Sequence, residues 1–332
     1  MKKIALLSDK EKKELFKITA LKIGIRPEAV EKDFWVCYMI DHLFHDCEFK
    51  DAFVFKGGTS LSKSYHLISR FSEDIDLILD WRKVTRDQSD PWAERSKSKQ
   101  DQYNKQINAE AANFYATELV PALNDELTNK LGMKELVSVD AKDEMVVNFS
   151  YPRLFEDDYL RPVVRLEIGP LAEWAPSHTT RISSFTAERY PQLFEHADTE
   201  VLTVDAERTF WEKITILHKI ANFPEGKSLP LRYARHLYDV YCMGHSDIKN
   251  SAFARKGLLE KDILFKQKFY YSKGAHYDTA TLRDIMLIPK ESLIPELRDD
   301  YKAMQNMIYG EVPLFDDILI YLSELQSEIH SL

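Results

Sequence analysis

Two of only 10 glycines in this 332-residue chain stand side by side, at Gly57-Gly58. They follow a short apolar run, residues 52–55, and precede a segment of helical spacing, residues 59–68, in which Leu61, Tyr65 and Ile68 fall on one side. A second apolar run comes next, at residues 75–79. Apolar runs of this length bounded by turn formers suit buried strands, so the expected order is strand, glycine turn, helix, strand. Glycines at such a turn let backbone N–H groups approach a phosphate, with the positive end of a helix behind them. Gly57, Gly58, Thr59 and Ser60 are therefore read as a phosphate cradle.

Two readings of that cradle stand open. A P-loop requires Gly, four residues and then Gly-Lys-Ser/Thr; Gly57 with Ser62-Lys63-Ser64 lacks only the second glycine, a miss that matters because residues 59–68 already read as helix and leave no loop to wrap a phosphate, while Lys63 stays a nucleotide-binding candidate. The other reading turns on Asp74 and Asp76. On a strand, residues i and i+2 project to one face, so the two carboxylates stand together while Ile75, Leu77 and Leu79 enter the core. Carboxylates this close repel, and a divalent cation or a shared proton is the usual remedy. Asp74 and Asp76 are expected to hold Mg²⁺ carrying nucleotide phosphates, with Ser72 before them as a turn former or a phosphate contact. Two-metal phosphoryl chemistry calls for a third carboxylate. Glu167 is the choice, because Arg165 and Glu167 share one strand face and Val164, Leu166 and Ile168 the other; an Arg165–Glu167 surface pair is the plainer alternative.

Around this motif, residues 9–45 read as helical, with Ser8 or Asp9 as the first cap and Pro27 opening a second helix. Residues 107–131 are again helical. Further strands are expected at 136–139, 145–151, 162–168 and 181–185, and from Asp205 onward the pattern is helical almost to the end. An α+β N-terminal domain over residues 1–200 and a mostly helical domain over 201–332 are the expected division. Asp205 can cap a helix in which Phe210, Ile214 and Leu217 line one side and Lys213 lies off it. Arg235 and Asp239 stand at i, i+4, the spacing of an ordinary helix salt bridge.

Composition narrows the partners. With 45 basic against 54 acidic residues the formal charge is −9, which argues against indiscriminate nucleic-acid binding and leaves local patches to be examined. Residues 82–105 carry seven basic and four acidic side chains with Trp92 and Tyr103, and residues 249–274 seven and two with five aromatics, including Lys266 and Lys268. Basic side chains interleaved with aromatics suit an RNA acceptor. The three cysteines have no Cys-x-x-Cys spacing, so neither a disulfide framework nor a zinc knuckle is expected. The longest apolar runs, 34–40 and 318–322, are far short of the roughly 20 residues a membrane helix needs. The lysine-rich start reads as a helix lead-in rather than a signal peptide, and a cytoplasmic protein is expected.

The segment KGGTSLSKSYHLISRFSEDIDL, residues 56–77, resembles the signature of the AbiEii/AbiGii nucleotidyltransferase toxins, a branch of the DNA polymerase β-like nucleotidyltransferase superfamily. Glu31-Lys32-Asp33-Phe34-Trp35 before it, and TFWEKITILHK and RHLYDVY after it, extend the likeness over about residues 28–245; KFYYSKGAHYDTA looks like a downstream part. The resemblance implies a polymerase β-like palm, a mixed sheet with flanking helices, followed by a helical domain. It implies a Mg²⁺-dependent enzyme that transfers an NMP from an NTP to an acceptor, most simply tRNA or another RNA end. It also implies a toxin of a type IV-like or abortive-infection system acting in phage defence, neutralised by an antitoxin encoded alongside. Lys213 then takes the place of a lysine that reaches the nucleotide phosphates, and Asp239 that of a functional aspartate orienting Lys213 or an arginine. Transfer to a protein hydroxyl and a non-catalytic NTP-binding regulator are the alternatives.

Overall fold

The computed structural model describes residues 1–156, 160–171, 176–224 and 226–332. These fall into two compact units, Met1–Ser64 with Phe71–Val204, and Tyr65–Arg70 with Asp205–Leu332. Among the described residues no helix is long and apolar enough to cross a membrane.

The first unit is built on a seven-stranded mixed sheet. Its helices are α1 (Lys2–Ala5), α2 (Asp9–Ile23), α3 (Pro27–Asp41), α4 (Gly57–Lys63), α5 (Lys97–Phe114), α6 (Val120–Leu131) and α7 (Phe185–Arg189). Its strands are β1 (Phe53–Lys56), β2 (Asp74–Leu79), β3 (Val137–Val139), β4 (Val146–Phe149), β5 (Val164–Gly169), β6 (Ser177–Ile182) and β7 (Thr199–Val204), in the order β3-β4-β5-β2-β1-β7-β6. β1 runs antiparallel to β2 and parallel to β7, and β2 runs parallel to β5. The catalytic-type motif thus lies on central strands rather than on an edge.

Helix α3 is buried on almost every side, from Ala29 to Ile40. Such a helix is ordinarily apolar all round, yet this one carries Glu31, Lys32 and Asp33 in succession. Buried charges are tolerated when paired and hydrogen-bonded; Lys32 and Asp33 are both, and Glu31 is hydrogen-bonded. Glu31 accepts from the backbone N–H groups of Leu154 and Phe155 at 2.7 and 3.2 Å. Burial nevertheless pushes its carboxyl up to about 7, against those two donors. Lys32 donates to Glu73 at 2.5 Å and to the Arg161 carbonyl at 2.9 Å. Asp33 pairs with Lys63 and accepts from the Phe185 N–H at 2.6 Å. Consecutive helical residues point about 100° apart, so one turn of α3 ties down three separate segments around the sheet.

Several expectations need correction. The strand expected at 181–185 lies at 177–182, and Phe185 opens α7 with Ser184 as its cap. β7 was not among the expected strands. The helix expected over 59–68 begins at Gly57 and stops at Lys63, and His66 beyond it has a left-handed φ of 52°. Of the two caps expected for α2, Ser8 is the one used, in a reciprocal capping box with Glu11, which bears out that expectation.

The second unit holds α8 (Ala206–Ala221), α9 (Ala234–Gly244), α10 (Ile248–Ala254), α11 (Gly257–Phe269), α12 (Ile294–Met304) and α13 (Phe315–His330). Asp205 is the N-cap residue of α8, but its carboxylate pairs with Arg255 at 2.8 Å instead of capping the helix. Asp300 of α12 accepts from the Arg232 and Ala234 N–H groups, both at 2.8 Å, and so anchors the start of α9.

Candidate active site

In the first unit, strand register gathers the acidic residues. On β2 the pattern alternates, with Ile75 and Leu77 buried and Asp74 and Asp76 half-buried on the other face. Asp76 is level with Lys56 on β1 and with Glu167 on β5, and Asp74 is level with Arg165. Residues paired in register project to the same face of a sheet. Asp74, Asp76 and Glu167 therefore share one face with Lys56 and Arg165.

Gly57 begins α4 at the end of β1 and has φ +80°. A Cβ at this position would overlap the Asp76 carboxylate. Glycine is required here twice over, by its backbone conformation and by close approach to an acidic side chain. Gly57→Ala is expected to lower stability by about 1–3 kcal/mol and to displace the Asp76 carboxylate. In an Asp76→Gly background the same change should cost only the backbone share, about 1 kcal/mol. Urea denaturation of the four proteins measures the coupling; equal costs in both backgrounds would refute the contact.

The side chains after the glycines are used by the fold. The Thr59 hydroxyl donates to the Asp74 carbonyl, and Ser60 donates to the Gly57 carbonyl at 2.8 Å. Both side chains are buried, so what Gly57 to Ser60 offer a phosphate is backbone N–H groups of the first helical turn, which have no partner within the helix. Lys63 is buried as well. It pairs with Asp33, donates to the Ser183 carbonyl at 3.2 Å and lies 3.6 Å from the Phe185 ring centre. Burial works against its charge, but Asp33 holds the ammonium above the ordinary lysine range. The P-loop reading of Lys63 therefore gives way to a structural pair, since its ammonium is enclosed. Ser72 is half-buried just before β2.

The three carboxylates are in register but not gathered. Among the described residues no three His, Cys, Asp or Glu side chains converge closely enough to hold a metal ion. Counter-ions account for this: Arg165 Nη1 stands 3.4 Å from Glu167 Oε1, and Arg161 Nη1 stands 3.8 Å from Asp74 Oδ1. The expected surface pair of Arg165 with Glu167 is present, on the same face as the aspartates.

In the second unit Lys213 and Asp239 come together. Asp239, 0% exposed, receives Arg70 Nε and Nη2 at 2.6 and 2.9 Å and Lys213 Nζ at 2.8 Å. Burial alone would raise the Asp239 carboxyl, but Arg70 and Lys213 overcome it and hold the group well below the carboxylate range. Lys213 is pulled down mainly by burial, with Arg70 and Arg235 adding to the effect and Asp239 opposing it. His236 Nδ1 lies 3.2 Å from Lys213 Nζ. Burial, followed by Lys213, pushes His236 well below its usual value, so the ring is neutral and its Nδ1 accepts from the ammonium. Lys213 is thus buried rather than solvated, and Asp239 takes Arg70 and Lys213 as partners where the i, i+4 spacing pointed to Arg235. Arg70 is the residue that sequence reasoning missed; its position in Arg70-Phe71-Ser72 was the available signal.

The basic stretch at 249–274 also proves structural in large part. Lys266 pairs with Asp262 at 3.1 Å and donates to the Glu212 carbonyl at 3.2 Å and to Thr215. Lys249 pairs with Glu328 at 2.9 Å, and Phe265 and Phe269 are buried. Lys266 is withdrawn as an RNA contact.

A mixed sheet that places an Asp-x-Asp strand beside a glycine-started helix has the organisation of a nucleotidyltransferase palm. The family profile described as Nucleotidyl transferase AbiEii toxin, Type IV TA system, matches residues 41–320, well over half of the chain, and the chain belongs to that family. It is a nucleotidyltransferase of the type IV toxin class, which brings an NTP substrate and an antitoxin partner. Among solved structures it is similar to MenT4, a nucleotidyltransferase toxin from Mycobacterium tuberculosis H37Rv, at 15% identity over 97% of this chain and 99% of that one, with a TM-score of 0.49. No curated protein matches the chain.

Proposed function

We propose that the acidic face of β2 and β5 transfers an NMP from an NTP to the hydroxyl of an RNA acceptor, tRNA being the simplest choice, in a cytoplasmic toxin of phage defence. The observation that supports this reading is the register of Asp74, Asp76 and Glu167 on one face, with Gly57 packed without a Cβ against Asp76. The donor set is all carboxylate oxygen, the chemistry Mg²⁺ prefers, and the missing Cβ at Gly57 is what lets the Asp76 carboxylate pack against the turn. By donor chemistry and shared face, though not by convergence in this structure, the residues fit the ion: Asp74, Asp76 and Glu167 would hold it. When bound, Mg²⁺ neutralises charge on the phosphates.

The chain's own groups have separate tasks. Backbone N–H groups at Gly57 and Gly58 orient phosphate oxygens, with Thr59 and Ser60 fixing that turn and Ser72 leading into the acidic strand. Glu167 accepts the proton of the attacking hydroxyl. A bond forms from that oxygen to the α-phosphorus, the bond from the α-phosphorus to the β-bridging oxygen breaks, and pyrophosphate departs. Lys213, whose place in the family is that of a phosphate-contacting lysine, is held within the second unit by Asp239 and His236, and Asp239 is a positioning residue for it. For the acceptor, a cleft of 470 Å³ at the start of α5 is lined by Arg95, Lys99, Tyr103 and Gln106 together with the acidic Asp87 and Glu94. Trp92 in the same stretch is exposed, as base stacking requires.

The test is to incubate the protein with Mg²⁺, each α-labelled NTP in turn, total RNA and total protein, and then to digest the product with ribonuclease or protease. Label lost to ribonuclease alone is expected. Label lost to protease alone would replace the RNA acceptor with a protein hydroxyl, and NTP binding without any label would leave a binding regulator.

A further inference from the structure

Resting on the reading just given, we infer that Arg165 is a substrate-contacting residue, held by Glu167 until a cation claims that carboxylate and then turned onto the triphosphate. It lies on the acidic face, level with Asp74 on β2 and with Asn148 on β4. Its side chain is 18% exposed. A guanidinium has five N–H donors in a planar fork suited to two-point contact with carboxylate or phosphate. Here the ion contact to Glu167 is 3.4 Å, outside the 2.7–2.9 Å of a charge-assisted hydrogen bond. The Nε atom is buried without a hydrogen-bond partner among the described residues, and so is Oδ1 of Asn148 beside it.

Native proteins leave few buried polar atoms unmatched, and each such atom calls for an explanation. A donor and an acceptor left unmatched on paired residues beside three carboxylates mean that the Arg165 side chain gives up little hydrogen bonding when it turns toward a polar ligand. Three carboxylates on one face repel a triphosphate unless cations intervene, and Arg165, like Lys56, is a built-in cation at that place. A carboxylate that binds the metal ion releases its arginine, and the freed fork meets the phosphate oxygens that the metal ion brings. Metal and arginine thus compete for Glu167 but cooperate toward the triphosphate.

This competition gives a signature that a merely structural arginine would not produce. Inorganic tripolyphosphate in excess Mg²⁺ serves as a probe independent of the base, read by calorimetry. Mn²⁺ binding without any phosphate is read by electron paramagnetic resonance. Arg165→Gln should weaken tripolyphosphate binding about tenfold or more and tighten Mn²⁺ binding several-fold, while Arg165→Lys keeps part of the anion affinity. The opposite signs in one folded variant are the expected result. If wild type binds tripolyphosphate and Arg165→Gln binds it equally well, or loses Mn²⁺ and tripolyphosphate together, the role of Arg165 is overturned while the nucleotidyltransferase reading stands. If wild type binds neither tripolyphosphate nor Mn²⁺, the acidic face is not the nucleotide site and both readings fall.

Discussion

Replacing Asp76 by alanine is expected to reduce nucleotidyl transfer about a thousandfold or more while the protein stays folded. The size follows from the role: a carboxylate that holds the metal ion stabilises charge at the reacting phosphate, and losing one such group costs roughly 10²–10³ or more in rate. The intact fold follows from the surroundings. Asp76 is half-buried on a face it shares with Asp74 and Glu167, so its removal leaves the apolar face of β2 unchanged. Groups kept for function are commonly not those that stability favours. Transfer rate and urea midpoint, measured on the same preparation, should move apart, with the rate collapsing and the midpoint equal or higher. A variant that keeps its activity would remove Asp76 from the site.

Asp239→Asn has its largest effect on stability. The carboxylate is the shared partner of two buried cations, Arg70 and Lys213, and removing one member of a buried ionic group typically costs about 3–5 kcal/mol because the others are left uncompensated. The loss should show locally, as faster amide exchange in α8 and α9. It should also depend on pH with a definite sign. Asp239 is depressed in the folded protein, so its stabilisation is fully present above the unfolded carboxylate value of about 3.9 and is lost as pH falls below it. The gap between wild type and Asp239→Asn should be widest near neutrality and narrow below about pH 4. A gap that is constant into strong acid, or absent at pH 7, would contradict the clamp.

What the sequence reveals here depends on how far apart the partners lie. The Asp-x-Asp strand was legible because strand alternation is local: Ile75, Leu77 and Leu79 need a core, and Asp74 and Asp76 follow on the other face. The glycine doublet was legible as a turn, but the need for Gly57 became visible only once Asp76, 19 positions on, was seen against it. Lys63 was misread because a local motif offered a phosphate where a residue 30 positions earlier, Asp33, supplied the charge. Glu31, Lys32 and Asp33 illustrate the same limit, since their partners at Leu154, Glu73 and Phe185 are invisible to helical periodicity. β7 escaped because Thr199, Glu200 and Thr203 interrupt its apolar positions, although the two threonines are buried. Lys266 looked like part of a basic patch because, beside Asp262 on its own helix, the Glu212 carbonyl and the Thr215 hydroxyl that receive it come from another helix.

The measurement that bears most directly on the central claim compares α- and γ-labelled NTP as donors, with Mg²⁺ and total RNA as acceptor, for wild type and for Asp74→Asn/Asp76→Asn. Label from the α position entering RNA, none from the γ position, and neither with the double variant is the predicted result. Incorporation of γ label, or α transfer that persists in the double variant, would show that the acidic face of β2 is not where the nucleotide is transferred.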